Sequence, residues 1–308
     1  MKVLVTGGTG FLGRHLVEKL EELNYEVYIC NTKIANLKNI ENLAIFDRIR
    51  FDYIFHLAAV TKAGDYCLKH PGNQWLANQI INTNMLTYWV QNQWQAKMIC
   101  MGTSCSYAPD IFMTEDNYLL GEPDEDLYTY AMTKRMLLVG LQSLQKEFNL
   151  KWLYFIPSTL YGPDFELDDN HFIFDFMRNC YNAKYDGDDF IIWGDGEQKR
   201  ELIYVTDAVD AMINLLGEKN QVFNLGSGRD YSINEFAKKI CECYDYEYNL
   251  VKRDLTKYVG VKEKKIDTKK VIKFLGNKEF LKTSLSAGLK NSVKYFTKAM
   301  NETKLWRK

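Results

Sequence analysis

The chain has 308 residues, 46% of them hydrophobic and 26% charged, with a formal net charge of −1. That is the composition of an ordinary globular protein; it excludes disorder and gives no electrostatic case for a nucleic-acid partner. Seven cysteines without a Cys-x-x-Cys pair and four dispersed histidines suit reduced thiols, so neither a disulfide framework nor a metal site is expected.

Met1 to Thr6 runs straight into glycines, and no later apolar run approaches the roughly 20 residues of a membrane span. A cytoplasmic protein without membrane contact is expected. Val3 to Thr6 is a short β-branched run, followed by Gly7-Gly8-Thr9-Gly10-Phe11-Leu12-Gly13 and an amphipathic helix, Arg14 to Leu23. Strand, glycine loop and helix form the setting of a dinucleotide fingerprint, because glycines let the backbone approach a pyrophosphate and the helix N-terminus holds its charge. Gly7, Gly10, Phe11, Leu12 and Gly13 are therefore candidate cofactor contacts.

The second strand, Glu26 to Cys30, ends where an acid would accept from a ribose 2′-hydroxyl. The chain there reads Asn31-Thr32-Lys33, with no acid. Lys33 can pair with a 2′-phosphate, so NADP(H) is favoured as cofactor, with NAD(H) left open and Asn31 and Lys33 as its expected contacts. Asp52 to Val60 reads as the next buried strand, whose Leu57-Ala58-Ala59 end is small enough for a cofactor to lie over the sheet edge; His56 reads as a packed strand residue. A long helix, Pro71 to Gln95, carries Asn78 and Asn84, and the strand Lys97 to Met101 follows. This alternation predicts a parallel sheet covered on both faces.

After that strand come Gly102-Thr103-Ser104-Cys105-Ser106-Tyr107, hydroxyls and a thiol at the carboxyl end of a parallel strand, where open α/β sheets bind ligands. An acidic loop, 108–126, leads into a helix from Leu127 to about Glu147. On it Tyr130 and Lys134 lie four apart on one face, so an ammonium can stabilise a phenolate. The same spacing recurs at Tyr248/Lys252 and Tyr258/Lys262, but only Tyr130 follows a strand end such as Thr103.

Strand Trp152 to Ile156 runs into Pro157-Ser158-Thr159-Leu160-Tyr161-Gly162-Pro163, the expected first crossing between domains. A helix around Phe172 to Cys180 and a strand Phe190 to Trp193 follow. Glu201 to Val205 and the helix from Asp207 are expected to return to the first domain. Ser232-x-x-Glu235 is a capping box, and final helices are expected near 268–275 and 283–301. The predicted architecture is α/β: a Rossmann-type doubly wound parallel sheet over residues 1–162 plus about 201–225 that binds NAD(P), and a smaller C-terminal α/β substrate lobe from 163–200 and 226–308. Residues 252–308 hold 17 Lys/Arg against 5 Asp/Glu. They read as solvated helix faces or as a surface toward an anionic substrate.

Gly7-x-x-Gly10-x-x-Gly13, His56-Leu57-Ala58-Ala59, Thr103 before Tyr107, Tyr130-x-x-x-Lys134, Leu160-Tyr161-Gly162-Pro163 and Arg200-Glu201-x-x-x-Val205 together resemble the extended short-chain dehydrogenase/reductases, the NAD-dependent epimerase/dehydratase family acting on nucleotide sugars. Thr103-Ser104-Cys105-Ser106-Tyr107, Asn78 with Asn84, Asn170-His171 and Trp193-Gly194-Asp195-Gly196 are similar to its GDP-L-fucose synthase branch. The resemblance implies an enzyme, a 3,5-epimerase/4-reductase of a GDP-4-keto-6-deoxy-mannose-like sugar, with Thr103, Tyr130 and Lys134 as redox triad and Cys105 and His171 moving protons.

It further implies Pro157 and Leu160 at the cofactor, Ser104, Asn78, Thr159, Arg178, Trp193 and Arg200 at the sugar nucleotide, and a homodimer paired through the helices around 77–95 and 127–147. The chain departs from that branch at Val60-Thr61-Lys62-Ala63-Gly64, at Thr159 and at Thr103. A single-activity C4 reductase, dehydrogenase or epimerase of a nucleotide-linked hexose or heptose stays open, as does a catalytically silent NAD(P)-binding regulatory module.

Overall fold

The computed structural model describes residues 1–61, 65–257, 259–276 and 280–305. Of the segment that departs from the resembled branch, Lys62, Ala63 and Gly64 lie outside the described residues, as does Tyr258.

In chain order the elements are β1 (Lys2–Thr6), α1 (Phe11–Glu22), β2 (Glu26–Cys30), β3 (Tyr53–His56), α2 (Asp65–Lys69), α3 (Pro71–Asn92), β4 (Lys97–Met101), α4 (Tyr128–Phe148), β5 (Trp152–Pro157), β6 (Thr159–Tyr161), α5 (Phe172–Tyr185), β7 (Ile191–Trp193), β8 (Lys199–Tyr204), α6 (Val205–Asn214), β9 (Gln221–Leu225), β10 (Asp230–Ser232), α7 (Ile233–Tyr244), β11 (Lys252–Asp254), β12 (Glu263–Lys264), α8 (Lys269–Leu275) and α9 (Leu285–Leu305). Six strands form one parallel sheet in the order β2-β1-β3-β4-β5-β9. Because β2 and β3 flank β1, the winding reverses there, and the loops leaving β1 and β3 open a crevice at the carboxyl edge.

Alternation along the strands divides the apolar side chains between two cores. Leu4, Ile54, Met98, Cys100 and Tyr154 face Met85, Trp89 and Leu138 of α3 and α4. Val3, Val5, Phe55, Ile99 and Phe155 face α1 and α6. On α1, Leu16, Val17 and Leu20 fall on one stripe and are buried, each contributing about 1.5–3 kcal/mol. The helix starts three residues before the expected Arg14, since extended Gly10 already ends the loop.

The remaining elements form the smaller lobe, whose core joins Phe174, Phe176 and Met177 of α5 to Phe236 and Ile240 of α7 and Phe296 of α9. The capping box is present on Ser232 and Glu235 and opens α7.

Two segments sit differently from the sequence expectation. β8 pairs with β6, β10 and β12 in a separate sheet, while only α6 and β9 rejoin the main layers. Conversely, Val271 and Leu275 of α8 are buried in the core beside β9, so this helix covers the large sheet although its sequence position is in the lobe. Apolar stripes say that an element is covered, not by which layer.

Candidate active site

A cavity of about 640 Å³ runs along the carboxyl edge of the large sheet and opens toward the lobe. Its wall contains Gly7, Gly10, Phe11, Leu12, Gly13, Asn31, Leu57, Ala58, Ala59, Thr103, Ser104, Cys105, Tyr130, Lys134, Pro157, Thr159, Leu160 and His171, which sequence reasoning had selected. At the β1 loop the need for glycine is steric. A Cβ on Gly7, whose φ is +70°, would stand 2.8 Å from the Ala58 backbone nitrogen, and one on Gly13 would stand 2.1 Å from the Gly7 oxygen. Gly10 begins α1 without any side-chain cap, leaving the first-turn N–H groups to a ligand. This cradle fits a dinucleotide pyrophosphate.

At the end of β2, Asn31 turns the chain by accepting from the backbone N–H groups of Lys33 and Ile34 at 3.0 and 3.1 Å. The turn carries Lys33 out of the wall, and Lys38 lines the cavity instead. Asn84 secures that loop by donating to the Leu37 oxygen at 2.8 Å. Lys38 was missed because an irregular loop has no period from which its direction can be read.

β3 stops at His56, shorter than the expected 52–60, because Leu57 onward leaves the ladder to line the crevice. His56 is buried, with Nδ1 at 2.9 Å from Thr6 Oγ1 and Nε2 at 3.1 Å from Asn82 Oδ1. Burial pushes its pKa down to about 4, so it packs as a neutral ring. Asn78 is also buried and lies outside the wall. Its amide accepts from Val60 N at 2.8 Å and donates to Val60 O at 3.2 Å, fixing the backbone of a residue that does line it.

Beyond β4, Thr103 caps a short 3₁₀ turn, Ser104–Ser106, by accepting from Cys105 N at 3.2 Å. Ser106 Oγ donates to Ala131 O at 3.0 Å and docks this turn on α4. That helix presents Tyr130 and Lys134 on one face, and Lys134 Nζ lies 6.0 Å from the Tyr130 ring centre while donating to Met101 O at 3.0 Å. Burial pushes the Tyr130 phenol well above its usual range, Cys105, Tyr118 and Cys67 nearby add to the rise, and a hydrogen bond with Thr103 opposes it only in part. Burial pushes the Lys134 amine down to about 8. Both groups are thus held toward their neutral forms.

Cys105 and His171 are held the other way. Burial alone would raise the thiol, but the Lys264 ammonium, 3.0 Å from Sγ, outweighs it and keeps the thiol below its usual range. Burial alone would lower the imidazole, but Asp169, whose Oδ1 is 2.6 Å from Nδ1, outweighs it and raises His171. Asp169 also accepts from the His171 backbone N–H at 2.8 Å, setting the ring at the start of α5. Asp169 and Lys264 were both missed from the sequence. Asp-x-His just before a helix was an available signal for the first, whereas no local pattern joins Lys264 to Cys105.

Arg178 lies outside the wall, donating to Leu167 O at 2.7 Å and Asp169 O at 3.1 Å and pairing with Asp175; it shapes the loop that carries Asp169 and His171. Trp193 is 54% exposed at the end of β7, with Lys257 Nζ 5.6 Å from its ring centre, also outside the wall. Arg200 lines a small adjoining pocket with Ser104, Thr159, Glu201 and Lys264, and its guanidinium donates to Val259 O and Val261 O at 2.9 and 2.8 Å. Glu201, buried there, accepts from Gly228 N at 2.6 Å and Ile266 N at 2.9 Å, and burial pushes its pKa up to about 7.

The sequence profile of the NAD dependent epimerase/dehydratase family matches residues 3–226, most of the chain. The chain belongs to that family. Among relatives of this family member, GDP-L-colitose synthase of Yersinia pseudotuberculosis is 28% identical, over 98% of this chain and 99% of that protein. GDP-L-fucose synthase of Escherichia coli strain K12 is 25% identical, over 96% of each. The crystal structure of a GDP-L-fucose synthetase from Naegleria fowleri bound to NADP superposes with a TM-score of 0.85 over 97% of this chain and 93% of that one. At 23% identity that likeness shows the fold. Among the described residues, no helix is long and apolar enough to cross a membrane and no group of His, Cys, Asp and Glu is placed to hold a metal ion.

Proposed function

We propose that this family member is an epimerase/reductase of a 4-keto nucleotide sugar, with a GDP-linked 6-deoxyhexose as the substrate class and NADPH as the reductant. The observation that carries the reading is one cavity wall that joins Thr103, Tyr130 and Lys134 to a thiol and an imidazole, each poised toward its charged form. The names of the GDP-L-colitose and GDP-L-fucose synthases support the sugar class, and the NADP-bound structure supports the cofactor together with Lys38 in the wall and no acid after β2.

The glycine cradle, Ala58 and Lys38 would hold the dinucleotide, which supplies hydride when bound. The chain's own groups manage protons. A carbon beside the ketone is acidic, and the Cys105 thiolate takes its proton while the C–H electron pair moves onto the carbonyl oxygen. Thr103 and Tyr130 hydroxyls donate to that oxygen as charge builds. Inversion requires a proton from the other face, the role given to the His171 imidazolium, with Asp169 holding its ring. At reduction Tyr130, kept as a phenol by burial, gives its proton to the C4 oxygen, and the Lys134 ammonium stabilises the phenolate left behind.

The exposed apolar residues Trp75, Leu76 and Ile80 of α3 and Met136 of α4 support the homodimer, which light scattering on the purified protein would test. The function itself is tested with a GDP-4-keto-6-deoxy sugar in heavy water. Deuterium is expected to enter at C3 and C5 and to be lost in Cys105→Ala. Reduction without exchange would replace this reading by a single-activity C4 reductase, and cofactor binding without reduction would replace it by a silent module.

A further inference from the structure

Cys105 and Lys264 are 159 residues apart, yet their side chains meet at 3.0 Å where the main cavity, lined by Cys105, adjoins the small pocket lined by Lys264. The contact is built from both sides. Cys105 is fixed by the 3₁₀ turn that Thr103 caps. Lys264 lies on β12, which pairs in parallel with β8 in the register Lys264 opposite Arg200. Two residues on, Ile266 N is clamped by the buried Glu201 carboxylate, and Asp267 N donates to Met113 O at 2.9 Å, so the strand is tied down just past its end. The adjacent Lys265 faces carboxylates, Asp230 at 3.4 Å and Glu263 at 3.9 Å, as a surface lysine usually does. Lys264 faces a sulfur.

We propose that Lys264 is the positioning residue that keeps Cys105 ionised, so that the proton-abstracting thiolate exists only where β12 is docked against the β4 turn. The assignment rests on the epimerase reading for its purpose, but not for its test. An ammonium that donates to sulfur stabilises the thiolate and does nothing for the thiol, so the S–H proton leaves to water while Lys264 stays protonated. The other titratable groups acting on Cys105 are His171 before α5, Cys67 on α2 and Tyr130 on α4. Of these only His171 carries positive charge, and it is already partnered by Asp169 at 2.6 Å.

The test is the pH profile of iodoacetamide alkylation, read peptide by peptide by mass spectrometry on the full chain without sugar or cofactor. Cys243, half-buried on α7, serves as reference in the same sample. In the wild type the Cys105 midpoint is expected below the ~8.5 of a free thiol. In Lys264→Met it should rise by at least about one pH unit, so that the rate near pH 7 falls about tenfold and recovers in alkali. Lys264→Arg should restore the low midpoint, and the Cys243 profile should not move.

A wild-type midpoint at or above that of a free thiol overturns the assignment without any variant. So does an unchanged Cys105 profile in Lys264→Met, or a loss of rate equal at every pH, which is the signature of a merely structural contact. Loss of deuterium exchange in the wild type would remove the epimerase reading and leave the alkylation result standing, so the two failures are distinguishable.

Discussion

The two sides of the cavity treat their ionisable groups in opposite ways. On the large-sheet side, Tyr130 is half-buried and Lys134 buried, neither has a carboxylate partner among the described residues, and desolvation drives both toward neutrality. On the side that meets the lobe, Cys105 and His171 are half-buried, but each touches an opposite charge, Lys264 and Asp169, and pairing wins over desolvation. The difference shows how one small volume can favour a neutral phenol beside a thiol whose ionisation is eased, the two states that the proposed proton donor and proton acceptor need.

The strongest way to break this contrast is Tyr130→Phe. Reduction of the 4-keto sugar should fall by about 10²–10⁴-fold, the range for a lost general acid. Deuterium exchange beside the ketone should fall much less, because Thr103 still donates to the enolate oxygen and the proton is taken from the other side. If exchange collapses together with reduction, the two sides do not work separately. Lys134→Met is expected to lower reduction by about 10²-fold in single-turnover assays. In the wild type the contribution of this lysine should fade as pH rises through about 8, where the amine loses its proton.

Asp169→Asn sharpens the comparison by removing one counter-charge. His171 should then titrate near or below its ordinary ~6.5, and exchange near pH 7 should fall about tenfold, with the optimum moving to lower pH. The sign for stability is the same: the raised pKa of His171 contributes fully below ~6.5 and its contribution is lost as pH rises through the raised value. Thermal melts of the variant should lose that slope, and NMR titration of the ring would show the shift directly. The smallest effect is expected from Lys38→Ala, about a fivefold weaker affinity for NADPH with NADH unchanged, measured by fluorescence titration. Equal weakening of both would place Lys38 away from the 2′-phosphate.

How far the site was legible follows the same divide. Gly7, Gly10 and Gly13 were readable because a strand, a glycine loop and a helix occur consecutively, and Tyr130 with Lys134 because helical spacing puts them on one face. Asn78 and Arg178 were also visible as polar residues in telling places, yet they serve the wall from behind, holding Val60 and the 167–170 loop. A side chain's residue type gives its chemistry, not its direction, and the turn at Asn31 that removes Lys33 and admits Lys38 depends on the Asn31 side-chain oxygen accepting from two backbone N–H groups.

The sequence by itself determined the alternating strands and helices, the glycine cradle and the phenol–amine pair, because each arises from neighbours within one or two turns of chain. Only the tertiary structure decided that β8 joins a second sheet, that α8 covers the first, and that Lys264 reaches Cys105 across 159 residues. The physical reason is that local geometry is fixed by short-range sterics and hydrogen bonds, whereas the charge state of a buried thiol or imidazole is set by whichever counter-charge packing brings alongside.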